Sequence, residues 1–336
     1  MKYVGLFCLL IFLLGESDVR GAQQKYFKYA GVYPERVCLE SDGGIGRRKR
    51  IIRKGILYRK PGAKATVLIC HGFMCSASDV KFLRRMFDQY HVMLFDFRAH
   101  GKDVDDQCCT FGRDEVYDVK AAVDFIRSDR ELSKLPLISY AFSMGAVSCL
   151  NAQATYGNLF DCAVWDCPFE SSEDLLARSI NNLEFSILGQ KFAVPGRSFL
   201  KKFAYNEYVQ ELLKMVLKII AHIDAAQIPT RVVPLDNVAA AQHVFIPVFF
   251  ITCKRDEKAP PVAVRRIYDA VSGFKRFWIT NGRHHFDSFF YEPDAYAYRV
   301  QRFIAKFLSE QYVTDNLGRR PLEKIMVDGD SWGDLS

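Results

Sequence analysis

The chain has 336 residues, of which 49% are hydrophobic and 25% charged, with a formal net charge of +7. These values are typical of a globular protein with a sizeable core, so one large domain, or one domain with an insertion, is expected. The densest basic cluster, Arg47–Arg50, has no interleaved aromatic residues and belongs to no recognisable nucleic-acid-binding module, which argues against a nucleic-acid partner.

The N-terminus has the pattern of a targeting segment. Lys2 is followed by an almost unbroken apolar run, Tyr3–Leu14, and small residues appear by Gly21. The run is too short to span a bilayer comfortably. We therefore predict a secretory signal peptide over residues 1–21 and an exported protein, periplasmic or secreted; the alternative is a chain anchored in a membrane by an uncleaved N-terminus.

The ten cysteines predict neither a metal site nor a complete set of disulfides. Nine remain after cleavage of the signal, an odd number that cannot all pair, and no C-x-x-C pair occurs. The adjacent Cys108 and Cys109 lie in a polar loop, and their pairing in an oxidising compartment is left open.

The first part of the mature chain, residues 22–171, predicts a sheet wrapped by helices. A β-hairpin is expected before about Tyr58. Apolar runs then alternate with helical segments, which is typical of a mostly parallel sheet with helices on both faces. The runs are Thr66–Cys70, His91–Phe95, Leu137–Phe142 and Asp161–Trp165.

The alternation stops at about Ser172, and residues 172–237 are predicted to form a helical cap insertion that no strand interrupts. Its most apolar helix, Glu207–Asp224, has a narrow polar stripe that includes Gln210 and Lys214. This helix either packs beneath its neighbours or forms a lid that faces lipid. The sheet is predicted to resume over residues 238–312, and the polar tail, residues 313–336, is given no role.

Ser143 follows a predicted strand and precedes helix-forming sequence. A serine on such a turn projects its hydroxyl from the top of a sheet, beside the unpaired N–H groups of a helix N-terminus. Asp256 and His285 follow the last two predicted strands. Because ligand sites of open parallel sheets lie at the carboxyl ends of the strands, the three residues are candidates for one nucleophilic site.

The chain resembles the α/β-hydrolase fold superfamily, and within it the small lidded hydrolases of the esterase, acyltransferase and serine-aminopeptidase type. The resemblance extends from about residue 35 to residue 310 and rests on several blocks in order. The blocks are the oxyanion-loop sequence His71–Phe73, the F-D-x-R-G-H-G-like Phe95–Gly101, the turn around Ser143, the D-x-x-x-P loop Asp256–Pro260, and the terminal His285.

This resemblance implies a role for each site residue. Ser143 would be the nucleophile, His285 the general base and Asp256 the residue that orients the imidazole. The backbone N–H groups of Phe73 and Met144 would form the oxyanion hole. No cofactor and no metal are predicted.

The chain departs from the family pattern at three positions. Ala99, Ala141 and Ala146 stand where glycine is usual. Alanine is the smallest replacement for glycine, so a working but slightly strained turn at Ser143 is expected.

Two assignments have rivals. His284 adjoins His285, but His285 fits the spacing to Asp287 and to Pro293–Tyr296 better. For the acid, Asp256 leads over its neighbour Glu257 and over Asp166, which follows an earlier strand and is expected to order a turn.

The predicted function is a serine hydrolase that cleaves an ester, a thioester or a small amide through an acyl-enzyme, with ester cleavage favoured over peptide cleavage. The expected partner is an apolar acyl substrate, with possible contact between the cap or the N-terminus and a membrane surface. The alternatives are a non-catalytic ligand-binding protein on the same fold, and an acyltransferase.

Overall fold

The computed structural model describes residues 34–44, 49–102, 107–181, 184–187, 190–193, 196–212, 215 and 228–308, with the backbone alone for 184–187 and 190–193. The predicted signal peptide, the C-terminal tail and most of the helix predicted over 207–224 lie outside these residues.

An eight-stranded sheet forms the centre of the fold. Its strands are β1 (Glu35–Ser41), β2 (Ile51–Tyr58), β3 (Thr66–Cys70), β4 (His91–Phe95), β5 (Leu137–Phe142), β6 (Cys162–Asp166), β9 (Val248–Cys253) and β10 (Lys275–Thr280). They lie in the order β1-β2-β4-β3-β5-β6-β9-β10. The pairs β1–β2 and β2–β4 are antiparallel, and the remaining neighbours are parallel.

The strands differ in burial according to their place in the sheet. In the first hairpin, β1 and β2 alternate buried and exposed residues, as expected for strands with one wet face. Every residue of β3, β4, β5, β6 and β9 is buried, because helices cover both faces of the sheet there. The continuous apolar runs therefore predicted the buried strands correctly.

The helices lie between the strands. They are α1 (Ala77–Val80), α2 (Glu115–Ser128), α3 (Met144–Tyr156), α4 (Ser172–Asn181), α5 (Arg197–Lys202), α6 (Asn237–Ala241), α7 (Pro261–Ala270), α8 (Ser288–Tyr291) and α9 (Pro293–Phe307), with 3-10 turns at Lys81–Phe87 and Leu132–Lys134. The apolar residues on one face of α2, such as Val119 and Ile126, and on one face of α9, such as Val300 and Ile304, are buried.

The segment after β3 begins as a capped helix and then changes to a 3-10 turn. The Ser76 side chain accepts a hydrogen bond from the Asp79 N–H, and the Asp79 side chain accepts one from the Ser76 N–H, which is a capping box. Helix α1 ends at Val80, and the 3-10 turn Lys81–Phe87 follows.

The insertion is not wholly helical, so that prediction was wrong. Strands β7 (Glu184–Ile187) and β8 (Gln190–Ala193) form an antiparallel hairpin. Polar and apolar residues alternate in Glu184–Ile187, a period of two that favours a strand over a helix. The boundaries predicted for the insertion itself remain a prediction.

The helix that begins at residue 207 also differs from its predicted orientation over the residues described. Gln210 was placed on the polar stripe, yet it is only 6% exposed, and its side-chain amide hydrogen-bonds both the N–H and the carbonyl of Val232. Tyr208, Leu212 and Met215 are exposed instead. A buried amide with backbone partners on both sides is satisfied, which allows the apolar face to turn outward.

The strand order reverses direction between β3 and β5, and this places a crevice at their carboxyl ends.

Among the residues described, no helix combines the length and the apolar character needed to cross a membrane. The nine cysteines within the described ranges are all free thiols, Cys108 and Cys109 included.

Candidate active site

Ser143 lies on a sharp turn between β5 and α3. Its backbone has φ 52° and ψ −125°, a strained conformation for a residue with a side chain. The Ser143 N–H donates to the carbonyl of Asp166 at 2.9 Å, which ties the turn to the end of β6. The turn thereby aims the hydroxyl away from the sheet and into the crevice.

Close packing of α3 against β3 requires a glycine at position 145, two residues after Ser143. A Cβ on Gly145 would lie 2.4 Å from the carbonyl oxygen of Cys70 and 2.5 Å from that of His71. Ala141, by contrast, is a fully buried residue of β5 with φ outside the left-handed region. The left-handed backbone of this turn is at Ser143 and not at Ala141.

The three predicted catalytic side chains form one hydrogen-bonded chain. His285 Nε2 lies 2.6 Å from Ser143 Oγ, and His285 Nδ1 lies 2.8 Å from Asp256 Oδ2. Because an ionised carboxylate only accepts hydrogen bonds, the Nδ1–H donates to Asp256, and Nε2 is left to accept the Ser143 hydroxyl. This is the tautomer that a general base needs.

The other oxygen of Asp256 is bound by the loop that follows β9. Asp256 Oδ1 accepts the N–H groups of Lys258 at 2.9 Å and Ala259 at 2.8 Å. The Asp256 residue is 2% exposed, so these bonds act with little competition from water. The carboxylate is held in a single orientation toward His285.

The alternative candidates for the base and the acid are not members of this hydrogen-bonded chain. His284 and Glu257 are exposed, and neither side chain hydrogen-bonds Ser143 or His285 among the residues described. The carboxyl group of Asp166 accepts from Tyr296 Oη at 2.9 Å and from Ser288 Oγ at 3.4 Å. Burial raises the pKa of Asp166 to about 7.

Asp166 was expected to order a turn, and its carboxyl group instead supports a buried hydroxyl pair. Tyr296 Oη, which donates to Asp166, lies 3.0 Å from Tyr140 Oη. Burial raises the pKa of both phenols well above the ordinary value, so they stay protonated and able to donate.

The loop after β3 passes directly beside Ser143. A Cβ on Gly72 would lie 3.3 Å from Ser143 Cβ and 3.0 Å from the Phe142 ring. Met144 is the first residue of α3, so its N–H has no acceptor within the helix. Within the described ranges no group accepts from the Phe73 N–H either. The two amides predicted for an oxyanion hole thus belong to two segments that adjoin Ser143.

Two buried histidines hold this loop. The His71 Nδ1–H donates to the Gly72 carbonyl at 2.8 Å, and His71 Nε2 accepts the Phe97 N–H at 3.1 Å. His100 Nε2 accepts the Met74 N–H at 3.2 Å. Burial lowers the pKa of His71 to about 4 and that of His100 to about 3, so both rings are neutral near pH 7 and can accept these bonds.

The loop that follows β4 is structural rather than part of the site. Arg98 is fully buried and pairs with Asp118 at 2.8 Å, while Asp96 Oδ1 accepts the Ala77 N–H at 2.7 Å. Ala99 adopts φ 61°. Glycine adopts this left-handed conformation more readily than alanine does.

Two features of the site were missed by the sequence analysis. Cys167, immediately after β6, has a fully buried thiol whose Sγ lies 4.0 Å from His285 Nε2. The rings of Phe142 and Phe286 stack with centroids 3.7 Å apart. The one signal for Cys167 was its place at the carboxyl end of a buried strand; nothing local in the sequence indicated the ring pair.

A mostly parallel sheet between helices, with a serine turn at the end of its fifth strand, defines an α/β-hydrolase. Residues 61–294 match the model of the family described as serine aminopeptidase, S33. The match extends over more than half of the chain, so the protein belongs to that family and is a hydrolase.

The individual proteins compared with this chain are 14% to 24% identical to it in sequence. The chain is 24% identical to the uncharacterized protein YqkD of Bacillus subtilis over 242 residues, 71% of this chain and 70% of that one. The esterase Pf2001 of Pyrococcus furiosus superposes with a TM-score of 0.60 at 19% identity, with 83% of this chain and 94% of the esterase covered. The acylaminoacyl peptidase of Pyrococcus horikoshii superposes with a TM-score of 0.51 at 14% identity over 84% of this chain and 42% of the peptidase. The solved structures establish the fold.

Proposed function

We propose that the protein is a serine hydrolase that cleaves an ester, a thioester or a small amide through an acyl-enzyme. The observation that carries the proposal is the continuous hydrogen-bonded chain from Ser143 through His285 to Asp256. A serine hydroxyl is a weak nucleophile at neutral pH and needs an adjacent base to remove its proton. His285 Nε2 has the position and the tautomer for that task.

In the acylation step, Ser143 Oγ attacks the carbonyl carbon of the substrate while its proton passes to His285 Nε2. The imidazolium that forms is stabilised by Asp256, which keeps its negative charge. The carbonyl oxygen becomes an oxyanion between the N–H groups of Phe73 and Met144, an interaction worth about 2.7 to 4 kcal/mol per donor in a well-studied enzyme. Collapse of this intermediate breaks the bond to the leaving group, which takes the proton from His285.

In the deacylation step, water replaces the leaving group. His285 Nε2 takes a proton from the water as its oxygen attacks the acyl carbon, and it returns that proton to Ser143 Oγ when the acid departs. The same oxyanion donors act in both steps. The free enzyme is regenerated with the original tautomer of His285.

An apolar acyl group is the substrate class that we propose. Phe73 and Phe111 form a half-buried ring pair with centroids 4.7 Å apart, next to the amide assigned to the oxyanion hole. Rings in that position offer apolar surface to an acyl chain bound at Ser143. The Pyrococcus furiosus protein of similar fold is an esterase, which favours ester cleavage over peptide cleavage.

A fluorophosphonate probe tests the mechanism. We expect covalent labelling of the peptide that contains Ser143, and its loss in Ser143→Ala, with Ser148→Ala as the matched control because Ser148 lies one turn further along α3 and donates to the Met144 carbonyl. A folded protein that is not labelled at Ser143 would contradict the proposal and favour a non-catalytic binding protein.

A chain-length series of acyl esters tests the substrate class. We expect kcat/KM to rise with acyl length and then level off as the pocket is filled. A flat series, or a preference for charged acyl groups, would count against an apolar pocket while leaving the serine mechanism intact.

A further inference from the structure

The side chains of Cys167 and Ser143 both lie beside Nε2 of His285. Ligand atoms of Cys167, Asp256 and His285 all lie within 4.8 Å of one another, and they form the one cluster among the described residues that has the composition of a metal site. Cys167 Sγ is 4.0 Å from His285 Nε2, the same nitrogen that accepts the Ser143 hydroxyl. Thiolate and imidazole are ligands that Zn²⁺ prefers.

The separation of the two ligand atoms suits a bridging ion. Zinc bonds are about 2.3 Å to sulfur and about 2.0 to 2.1 Å to a histidine nitrogen, and at a tetrahedral angle they place the two ligand atoms about 3.6 Å apart. Because Sγ and Nε2 are 4.0 Å apart, a shift of a few tenths of an ångström lets one ion bind both atoms. Ser143 Oγ and water supply the remaining positions of a four-coordinate site.

His285 is already oriented as a metal ligand. In protein zinc sites the ligating histidine usually donates its other ring N–H to a carboxylate, which fixes the ring and makes the free nitrogen more basic. His285 donates from Nδ1 to Asp256 Oδ2 at 2.8 Å, so Nε2, which accepts the Ser143 hydroxyl, can bind a cation that displaces this hydrogen bond. The hydrogen bond that prepares this residue as a base thus also prepares it as a ligand.

The sulfur ligand would come from the side chain of Cys167, which is fully buried beside His285. When the ion binds, the thiol proton is released to solvent and the thiolate forms the coordinate bond.

We propose that a thiophilic divalent cation such as Zn²⁺ binds between Cys167 Sγ and His285 Nε2 and inhibits the enzyme by occupying the nitrogen that must accept the proton of Ser143. The inhibition, but not the binding, rests on the proposed hydrolase function. The ion is an inhibitor at this site and has no part in the reaction.

Spectroscopy with Co²⁺ tests the binding without reference to activity. A cobalt–thiolate bond gives a charge-transfer band in the near ultraviolet. We expect that band on titration of the full-length protein with Co²⁺, its removal by added Zn²⁺, and its loss in Cys167→Ala. Cys38→Ser is the matched control, because Cys38 is an exposed thiol on β1 and its replacement should leave the band unchanged. If Cys167→Ala does not fold, Cys167→Ser provides the same comparison.

Inhibition by Zn²⁺ tests the consequence. With each variant normalised to its own metal-free rate, we expect the half-inhibitory zinc concentration to rise about 10-fold to 100-fold in Cys167→Ala and to stay unchanged in Cys38→Ser. Absence of the cobalt band, or a band that persists in Cys167→Ala, would overturn the site. A band with equal zinc inhibition in both variants would overturn the inhibitory role, whereas a band in a protein without hydrolase activity would count against the proposed function alone.

Discussion

The ring of Phe142 stacks on the ring of Phe286 with centroids 3.7 Å apart and planes inclined by 14°. Phe142 immediately precedes Ser143, and Phe286 immediately follows His285. The stack therefore joins the two segments whose side chains must meet at 2.6 Å for proton transfer. Phe286 adopts φ 60°, so this contact is made by a residue held in an uncommon conformation.

Replacement of Phe286 by Ala is expected to lower kcat by about 10- to 100-fold, because a displacement of about 1 Å between nucleophile and base is enough for such a loss. Phe307→Ala is the control: Phe307 is also buried, but its ring packs against Phe274 and Phe303. Each substitution should cost about 3 to 5 kcal/mol of stability. Steady-state kinetics below the unfolding temperature separate the effects, and an unchanged kcat in folded Phe286→Ala would remove the positioning role.

The choice between Asp256 and Asp166 as the catalytic acid can be made with isosteric variants. Asp256→Asn should lower kcat about 10,000-fold, because the amide stabilises neither the required tautomer nor the imidazolium. Asp166→Asn should remain within about tenfold of the wild type, since its carboxyl group bonds Tyr296 and Ser288 rather than His285. The reverse order of effects would exchange the two assignments.

The raised pKa of Asp166 predicts a pH-dependent effect of the same variant on stability. The carboxyl group is protonated in the folded protein up to about pH 7, whereas in the unfolded chain it ionises near pH 3.8. Its contribution to stability is thus fully present below pH 3.8 and is lost as the pH rises to about 7, by up to about 1.4 kcal/mol per pH unit.

The Asp166→Asn variant has no carboxyl group at this position, so it should not lose stability in this way as the pH rises. We expect its free energy of unfolding, measured with urea, to increase relative to the wild type between pH 4 and pH 7 and then to stay level. A difference that does not change with pH would show that the carboxyl group is ionised in the folded protein despite its burial.

The substitution Gly145→Ala has two competing effects: it improves helix propensity, and it disturbs the close packing of α3 against β3. Alanine within a helix is favoured over glycine by about 1 kcal/mol. The new Cβ would lie 2.4 Å from the Cys70 carbonyl oxygen, which is backbone and cannot rotate away. We expect the steric clash to outweigh the gain in helix propensity, so that the free energy of unfolding falls by about 1 to 3 kcal/mol. We also expect a lower kcat, because the Met144 N–H would be displaced.

Gly62→Ala is the control for that variant. Gly62 has φ 71° and no atom within 4 Å of the added methyl group, so about 1 to 2 kcal/mol of left-handed strain is the expected cost, without loss of activity. Thermal unfolding and kcat together decide the question. If Gly145→Ala proved more stable than the wild type, the close approach of α3 to β3 would be incorrect.

The buried strands could be recognised from the sequence because their signal is local. A strand covered on both faces is predominantly apolar, and Thr66–Cys70 and Leu137–Phe142 show this composition within five or six residues. The hairpin of β7 and β8 was missed for a related reason: strands of four residues alternate too briefly to outweigh the helical pattern around them.

The orientation of Gln210 could not be predicted from helical periodicity. Periodicity separates a polar face from an apolar face but does not say which face meets the protein. The backbone of Val232, 22 residues away, offers both a donor and an acceptor to the Gln210 amide and draws the polar side inward.

By itself, the sequence determined that the protein has a parallel sheet and that Ser143, Asp256 and His285 follow three of its strands. Both are consequences of burial repeated over a few neighbouring residues. The tertiary structure decided the contacts: which histidine meets Ser143 across 142 positions, which carboxylate meets that histidine, and that the thiol of Cys167 lies beside it across 118 positions. Such contacts depend on the order of the strands in the sheet, which brings the ends of β5, β6, β9 and β10 together and which no local pattern of residues encodes.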